Sequence, residues 1–163
     1  MRIPGNMREQ FDSLVRTITQ AVTNRPLDPA LQAWLNGTHG ANSEWYRQMS
    51  AACLAGVAEG WLCKHQAEDV PRLRYGRVVR PGPETAGFSV DVVDMDDCTG
   101  PHHRHPNGEI DLVMPLTPDA RFDGQGAGWK VYPPDSAHRP TVSQGRALVL
   151  YLLPDGRIEF TAS

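Results

Sequence analysis

Three histidines and a glutamate, His103, His105, Glu109 and His138, offer imidazole nitrogens and a carboxylate oxygen, a donor set suited to a divalent metal. The first three fall in the run His103-Arg104-His105-Pro106-Asn107-Gly108-Glu109. On a strand, residues i and i+2 point to the same face, so His103 and His105 project together and Arg104 points away. Pro106-Asn107-Gly108 has turn chemistry and predicts a hairpin, with Glu109 opening the returning strand beside the two histidines. His138 follows Pro133-Pro134-Asp135, another turn-forming run, and closure of a β-barrel would carry it to the same centre. His102 faces the other side of an ideal strand and reads as a surface group or one behind the ligands. His39 and His65 lie far upstream and read as solvated. Cys98 reads as an ordinary reduced thiol, with a further ligand as the sharper alternative.

The elements that must position these residues fall into two halves. In the first, Phe11, Leu14, Val15, Ile18 and Val22 recur at helical spacing. Asp28-Pro29 predicts an N-cap and first helical position for a short helix carrying Leu31, Trp34 and Leu35, ended by Asn36-Gly37. Ser43 caps a third helix running toward Cys63, with small residues that allow close packing. These helices read as a cover for the barrel or a subunit interface, with a substrate lid as the alternative. After about Val70, proline and glycine punctuate short apolar runs. Strands are expected at 74–79, 87–93, 100–105, 109–116, 128–132, 139–142, 147–153 and 157–160. Pro154-Asp155-Gly156 supplies a second hairpin turn. The expectation is mainly β with α: a helical segment over 1–70, then a barrel over 71–163.

Composition narrows the functional classes. The chain has 163 residues, 40% of them hydrophobic, and a net charge of −3, enough for a core and without the basic footprint of a nucleic-acid binder. No apolar run approaches the roughly 20 residues that span a bilayer, and Met1-Arg2-Ile3-Pro4-Gly5 starts no leader peptide. Three cysteines without tight spacing argue against a disulfide framework and for a reducing cytoplasm. A homodimer is the default assembly.

His103-x-His105-x-x-x-Glu109 resembles the first cupin motif, and Pro133-x-Asp135-x-x-His138, preceded by Gly128, resembles the second. The resemblance implies a cupin-type (jelly-roll) barrel over the C-terminal part of the chain, with His103, His105, Glu109 and His138 holding one metal: Fe, Mn, Ni or Zn. Two glycines of the family pattern are replaced, by Asp97 and Asp135. Gly100 is expected to take over the first turn, and aspartate tolerates the second.

The whole chain is also similar to the 4-hydroxylaminobenzoate lyases. The similarity runs through Met7-Arg8-Glu9-Gln10-Phe11-Asp12-Ser13-Leu14, the Trp45 helix, and the segment from Gly100 to Asp111. It implies conversion of 4-hydroxylaminobenzoate to 3,4-dihydroxybenzoate (protocatechuate) with release of ammonia. Glu109 and His105 are then the candidate catalytic residues, Glu109 as acid/base or ligand. A small aromatic carboxylate needs a cation, for which Arg74 and Arg139 lead among several arginines. Tyr132 and Trp129 could flank its ring, though core packing is the blander role for both. An iron-dependent cupin dioxygenase and a non-catalytic small-molecule-binding cupin are the alternatives.

Overall fold

The computed structural model describes residues 7–161; the run at 1–5, read above as no leader, lies outside them. Three helices come first: α1 (Met7–Val22), α2 (Pro29–Thr38) and α3 (Glu44–Glu59). The expected caps form. Asp28 accepts from the Leu31 N–H at 2.9 Å and Ser43 from that of Tyr46 at 3.1 Å, each pairing one of a helix's otherwise unbonded first N–H groups. α3 stops before Cys63, because Gly60 takes the left-handed conformation (φ 87°) and its N–H bonds the Gly56 carbonyl.

Ten antiparallel strands follow among the described residues. β1 (His65–Gln66), β2 (Leu73–Val79), β3 (Phe88–Thr99), β5 (Glu109–Pro115), β7 (Gly128–Tyr132) and β9 (Thr141–Pro154) make the larger sheet in the order β1-β2-β3-β9-β5-β7, with β6 (Arg121–Phe122) paired to β9. The smaller sheet is β10-β4-β8, formed by Glu159–Phe160, His103–His105 and Ser136–His138. Mainly-β architecture with an N-terminal helical layer is therefore what the chain adopts. β1 lies before the composition change at residue 70 and already belongs to the larger sheet.

Alternation along β5 explains how this sheet serves two cores. Ile110, Leu112 and Met114 pack with Val90, Val92, Trp129 and Leu150 against Phe11, Ile18, Leu35 and Met49 of the helices. The intervening Val113 faces a second core with Val93, Met95, Phe122, Tyr132, Val149 and Tyr151. A strand covered on both faces reads as a continuous buried run, as β5 does. The helices thus cover the outer face of the larger sheet, opposite Glu109, and the lid reading falls away.

Several expectations need correction. Neither Pro106-Asn107-Gly108 nor Pro154-Asp155-Gly156 makes a hairpin. β4 pairs with β8 and β10, whereas β5 pairs with β7 and β9, so both turns are corners carrying the chain from one sheet to the other. Turn chemistry specifies a local reversal and leaves the choice of partner strand to the two cores. Gly108 (φ 86°) is confined by the Tyr132 carbonyl oxygen, which a Cβ would meet at 2.7 Å. The strands expected at 139–142 and 147–153 are one bulged strand, β9, and the strand expected from residue 100 begins only at His103. Gly100 does not make the first turn: Asp97 itself is left-handed (φ 43°), at a register shift between Asp96 and Cys98. Asp135 is left-handed as well (φ 66°). Aspartate is among the few non-glycine residues that adopt this region readily, so both replacements preserve the backbone.

Asn36 does not end α2; it docks it. Its amide accepts from the Trp129 N–H at 2.8 Å and donates to the Trp129 carbonyl at 3.0 Å. Gln32 accepts from the Val131 N–H at 2.8 Å. These amides saturate the free edge of β7, as a further strand would. Replacing Asn36 with alanine should cost about 1–3 kcal/mol through the buried Trp129 N–H it abandons; urea unfolding reads this as a lower midpoint at unchanged slope.

Candidate metal centre

The larger sheet supplies Glu109 and the smaller supplies all three histidines. His103 stands directly opposite His138 in the β4–β8 pair, and His105 opposite Ser136. His105 Nε2 lies 3.2 Å from Glu109 Oε2, His138 Nε2 3.6 Å from the same oxygen, and His103 Nε2 3.6 Å from Oε1. The Nε2 atoms of His103 and His138 are 3.1 Å apart, and all four ligand atoms lie within 4.8 Å of one another. Metal–ligand bonds of about 2.0–2.2 Å place neighbouring donor atoms roughly 3–3.5 Å apart, close to the shortest separations in the quartet. His105 and Glu109 are fully buried, yet His105 Nε2 and both Glu109 oxygens have no hydrogen-bond partner. Buried polar atoms aimed at one another without partners are the signature of a cation site.

The groups behind the ligands set their tautomers. Ser136 Oγ donates to the Pro133 carbonyl at 2.6 Å and therefore accepts from His105 Nδ1 at 2.9 Å. Asp123 Oδ2 takes His138 Nδ1 and the Tyr132 hydroxyl, each at 2.5 Å, while Oδ1 accepts from the Thr141 N–H at 3.0 Å. Both imidazoles thus donate Nδ1–H to these acceptors and turn Nε2, the nitrogen that a metal would take, toward Glu109. Asp123, held left-handed (φ 49°) just after β6, and Ser136 are functional residues that motif reasoning missed. The turn signal of Asp123-Gly124 was available; its partnership with His138 exists only across the fold.

Electrostatics agree with a ligand role for Glu109. Burial alone would raise its pKa, but the facing imidazoles of His103, His105 and His138 outweigh burial and hold it well below the usual carboxylate range. Burial likewise opposes ionisation of Asp123, and the hydrogen bonds from His138 and Tyr132 overcome it, lowering its pKa. Burial depresses His138, but Asp123 and Glu109 more than reverse this and push it up to about 9. Burial and then the Glu109 charge drive Asp111, two residues along the same face, well above the ordinary carboxylate value.

The remaining expected site residues separate by face. Tyr132 pairs with Glu109, and its ring lies 4.5 Å from that of His138 and 5.3 Å from that of His105. Trp129 faces the helices, stacked on Trp45 at 5.5 Å and donating to the His39 carbonyl, so it packs core and does not flank the cluster. His39 is accordingly half-buried among tryptophans rather than solvated. Arg74 is also on the outer face, opposite Asp94, and its guanidinium tethers the Cys63 and Lys64 carbonyls. With Arg72, Asp94 and Arg146 it lines a surface cavity of about 220 Å³ away from the cluster. Arg139 is exposed just past His138. His102 sits behind the ligand strand, bonded to Thr161, and Cys98 bonds the Arg72 carbonyl outside the quartet.

Comparison with known proteins supplies the family. The 4-hydroxylaminobenzoate lyase (PnbB) family model matches residues 13–160. The chain belongs to the 4-hydroxylaminobenzoate lyase family. A 4-hydroxylaminobenzoate lyase of Pseudomonas putida is 33% identical, covering 95% of this chain and 96% of that one. Another from Nocardioides sp. (strain LMS-CY) is 36% identical over 84% and 85% of the two chains. Among solved structures, one from a study of the DMSP lyases RdDddP and RnDddQII covers 96% of this chain and 95% of its own, with a TM-score of 0.52 and 13% identity. That likeness concerns the fold. The architecture is mainly β, with two antiparallel sheets under a helical layer, and the protein is a lyase-like enzyme.

Two measurements probe the centre. In the metal-free protein His138 holds its Nε2 proton up to about pH 9, and a metal must displace it. Apparent metal affinity should therefore rise about tenfold per pH unit toward that value and then level off, as competition with a fluorescent chelator would read. Asp123→Asn removes the carboxylate that orients His138 and should weaken metal binding about 10–100-fold in the same titration.

Proposed function

We propose that this enzyme is a metal-dependent lyase that converts 4-hydroxylaminobenzoate and water to 3,4-dihydroxybenzoate and ammonia. The observation that carries the proposal is the partnerless, fully buried meeting of Glu109 and His105 with His103 and His138, in a chain of this family. The reaction needs no net oxidant. The N–O bond breaks as the hydroxylamine oxygen departs with a proton as water, and the electron pair leaves with it. The ring, now electrophilic, takes water at the carbon beside the nitrogen-bearing one. A second water hydrolyses the resulting imine and releases ammonia, so one water is consumed overall.

A metal held by His103, His105, Glu109 and His138 supplies Lewis acidity to this chemistry. Three nitrogens and one carboxylate oxygen suit Fe(II), Mn(II), Ni(II) or Zn(II). The chain's own groups orient and tune. Ser136 and Asp123 keep the His105 and His138 Nε2 atoms free to bind. Glu109, ionised by its imidazole neighbours, is equipped to ligate or to accept a proton, not to donate one. Tyr132 places an aromatic wall beside His138. The free thiols of Cys53, Cys63 and Cys98 suit a reducing cytoplasm.

Anaerobic incubation of metal-analysed enzyme with 4-hydroxylaminobenzoate should yield ammonia and 3,4-dihydroxybenzoate in equal amounts. His105→Ala should lose bound metal and at least about 100-fold in turnover, since it removes a first ligand. An absolute requirement for oxygen would point instead to a dioxygenase, and full turnover by a folded, metal-free His105→Ala would remove the metal from the reaction.

A further inference from the structure

Five side chains stand in register across the inner face of the larger sheet, one strand beyond another. Arg77 on β2 opposes Asp91 on β3, Asp91 opposes Tyr151 on β9, Tyr151 opposes Asp111 on β5, and Asp111 opposes Lys130 on β7. This row runs directly alongside Glu109 and Tyr132, one step along their strands. Its two ends differ. The Arg77 guanidinium is neutralised by a two-pronged contact with Asp91 at 2.9 and 3.3 Å and also bonds the Gly156 carbonyl. Lys130 has no such partner. Asp111 stands directly opposite it, yet both Asp111 oxygens are buried without a hydrogen bond. The Lys130 ammonium lies instead 3.5 Å from the Asp123 main-chain carbonyl and 5.8 Å from the centre of the Tyr132 ring. That ring is the one packed against His138 and His105.

The half-buried Lys130 ammonium makes no ion pair; Asp111 attracts it only through space, and a bound carboxylate would add the direct charged hydrogen bond that it lacks. Its surroundings sharpen the point. The metal ligands would draw the reacting end of the substrate, and the carboxylate at the far end of its ring needs a cation of its own on the same face. Arg74 is on the wrong face and Arg77 is already paired. We propose that Lys130 binds the carboxylate of the substrate, with the Tyr132 ring lying between that contact and the metal ligands. Lys130 is thereby a specificity-determining residue; this assignment rests on the lyase reading for its choice of substrate. A flexible four-carbon stem lets the ammonium follow the carboxylate while the other end of the ring approaches the ligands.

The test compares kcat/KM for 4-hydroxylaminobenzoate and for N-phenylhydroxylamine, which lacks the carboxylate, in the wild-type enzyme and in Lys130→Met, Lys130→Gln, Lys130→Arg and Arg139→Met. Metal content and thermal midpoint are measured for each, and equilibrium binding of benzoate is followed by calorimetry. The wild-type preference for the carboxylate-bearing compound should fall about 30- to 100-fold in Lys130→Met and Lys130→Gln, mostly in KM, as expected for a lost charged hydrogen bond. Benzoate binding should weaken in parallel, Lys130→Arg should recover part of both, and Arg139→Met should keep both. Unchanged preference in folded, metal-loaded Lys130→Met, or its collapse in Arg139→Met instead, would overturn the assignment. Benzoate binding separates this outcome from failure of the lyase reading. A wild-type enzyme that turns over neither compound, yet binds benzoate through Lys130, leaves the assignment standing and removes the reaction. A wild-type enzyme with neither turnover nor benzoate binding removes both.

Discussion

A carboxylate buried between two sheets is the constraint to which the rest of this structure answers. Glu109 opens β5 of the larger sheet with no exposed surface, and the three imidazoles that face its oxygens come from the smaller sheet. An ionised carboxylate in that position is tolerable only with cationic or metal partners. The three imidazoles therefore set where β4 and β8 must lie relative to β5. Their direct pairing, His103 across from His138, brings two of the three imidazoles together within one short ladder. His105 is added by strand alternation, and Glu109 by the corner at Pro106-Asn107-Gly108.

A second layer of groups makes the quartet usable as a ligand set. Ser136 and Asp123 each occupy an Nδ1 atom, which leaves Nε2 as the inward donor. Asp123 is in turn held by the Tyr132 hydroxyl and the Thr141 N–H, so β6, β7, β8 and β9 all converge on one imidazole. The helices contribute from farther out. α2 saturates the edge of β7 through Asn36 and Gln32, β7 pairs with β5, and β5 carries Glu109. The helical layer thereby anchors the strand register behind the centre while remaining on the opposite face of the sheet from it.

Much of this was legible in the residues. The caps at Asp28 and Ser43, the apolar stripe of α1, the strand at 128–132 and all four members of the quartet followed from local pattern or motif. The two motif glycines replaced by Asp97 and Asp135 were legible too, because the property required was a left-handed backbone and aspartate provides it. What misled was information that is local by nature. Asn36-Gly37 reads as a helix stop, yet the tertiary bond to Trp129 keeps Asn36 inside α2. Pro-Asn-Gly and Pro-Asp-Gly read as hairpins, yet each links strands of different sheets. Arg74 reads as an available cation, yet its face of the sheet is the outer one.

The amino-acid sequence by itself determined the chemistry this protein has available: three imidazoles and a carboxylate, a β-rich half to carry them, and helices to cover it. Those properties depend on residue type and on periods of a few residues, which are local. Only the tertiary structure decided that Glu109 and the histidines approach from different sheets, that Asp123 and Ser136 set the imidazole tautomers, and that Lys130 rather than Arg74 shares their face. Each of these depends on strand partnership and on which side of a sheet becomes the barrel interior. That choice is made by burying two apolar cores at once, and no short stretch of chain encodes it.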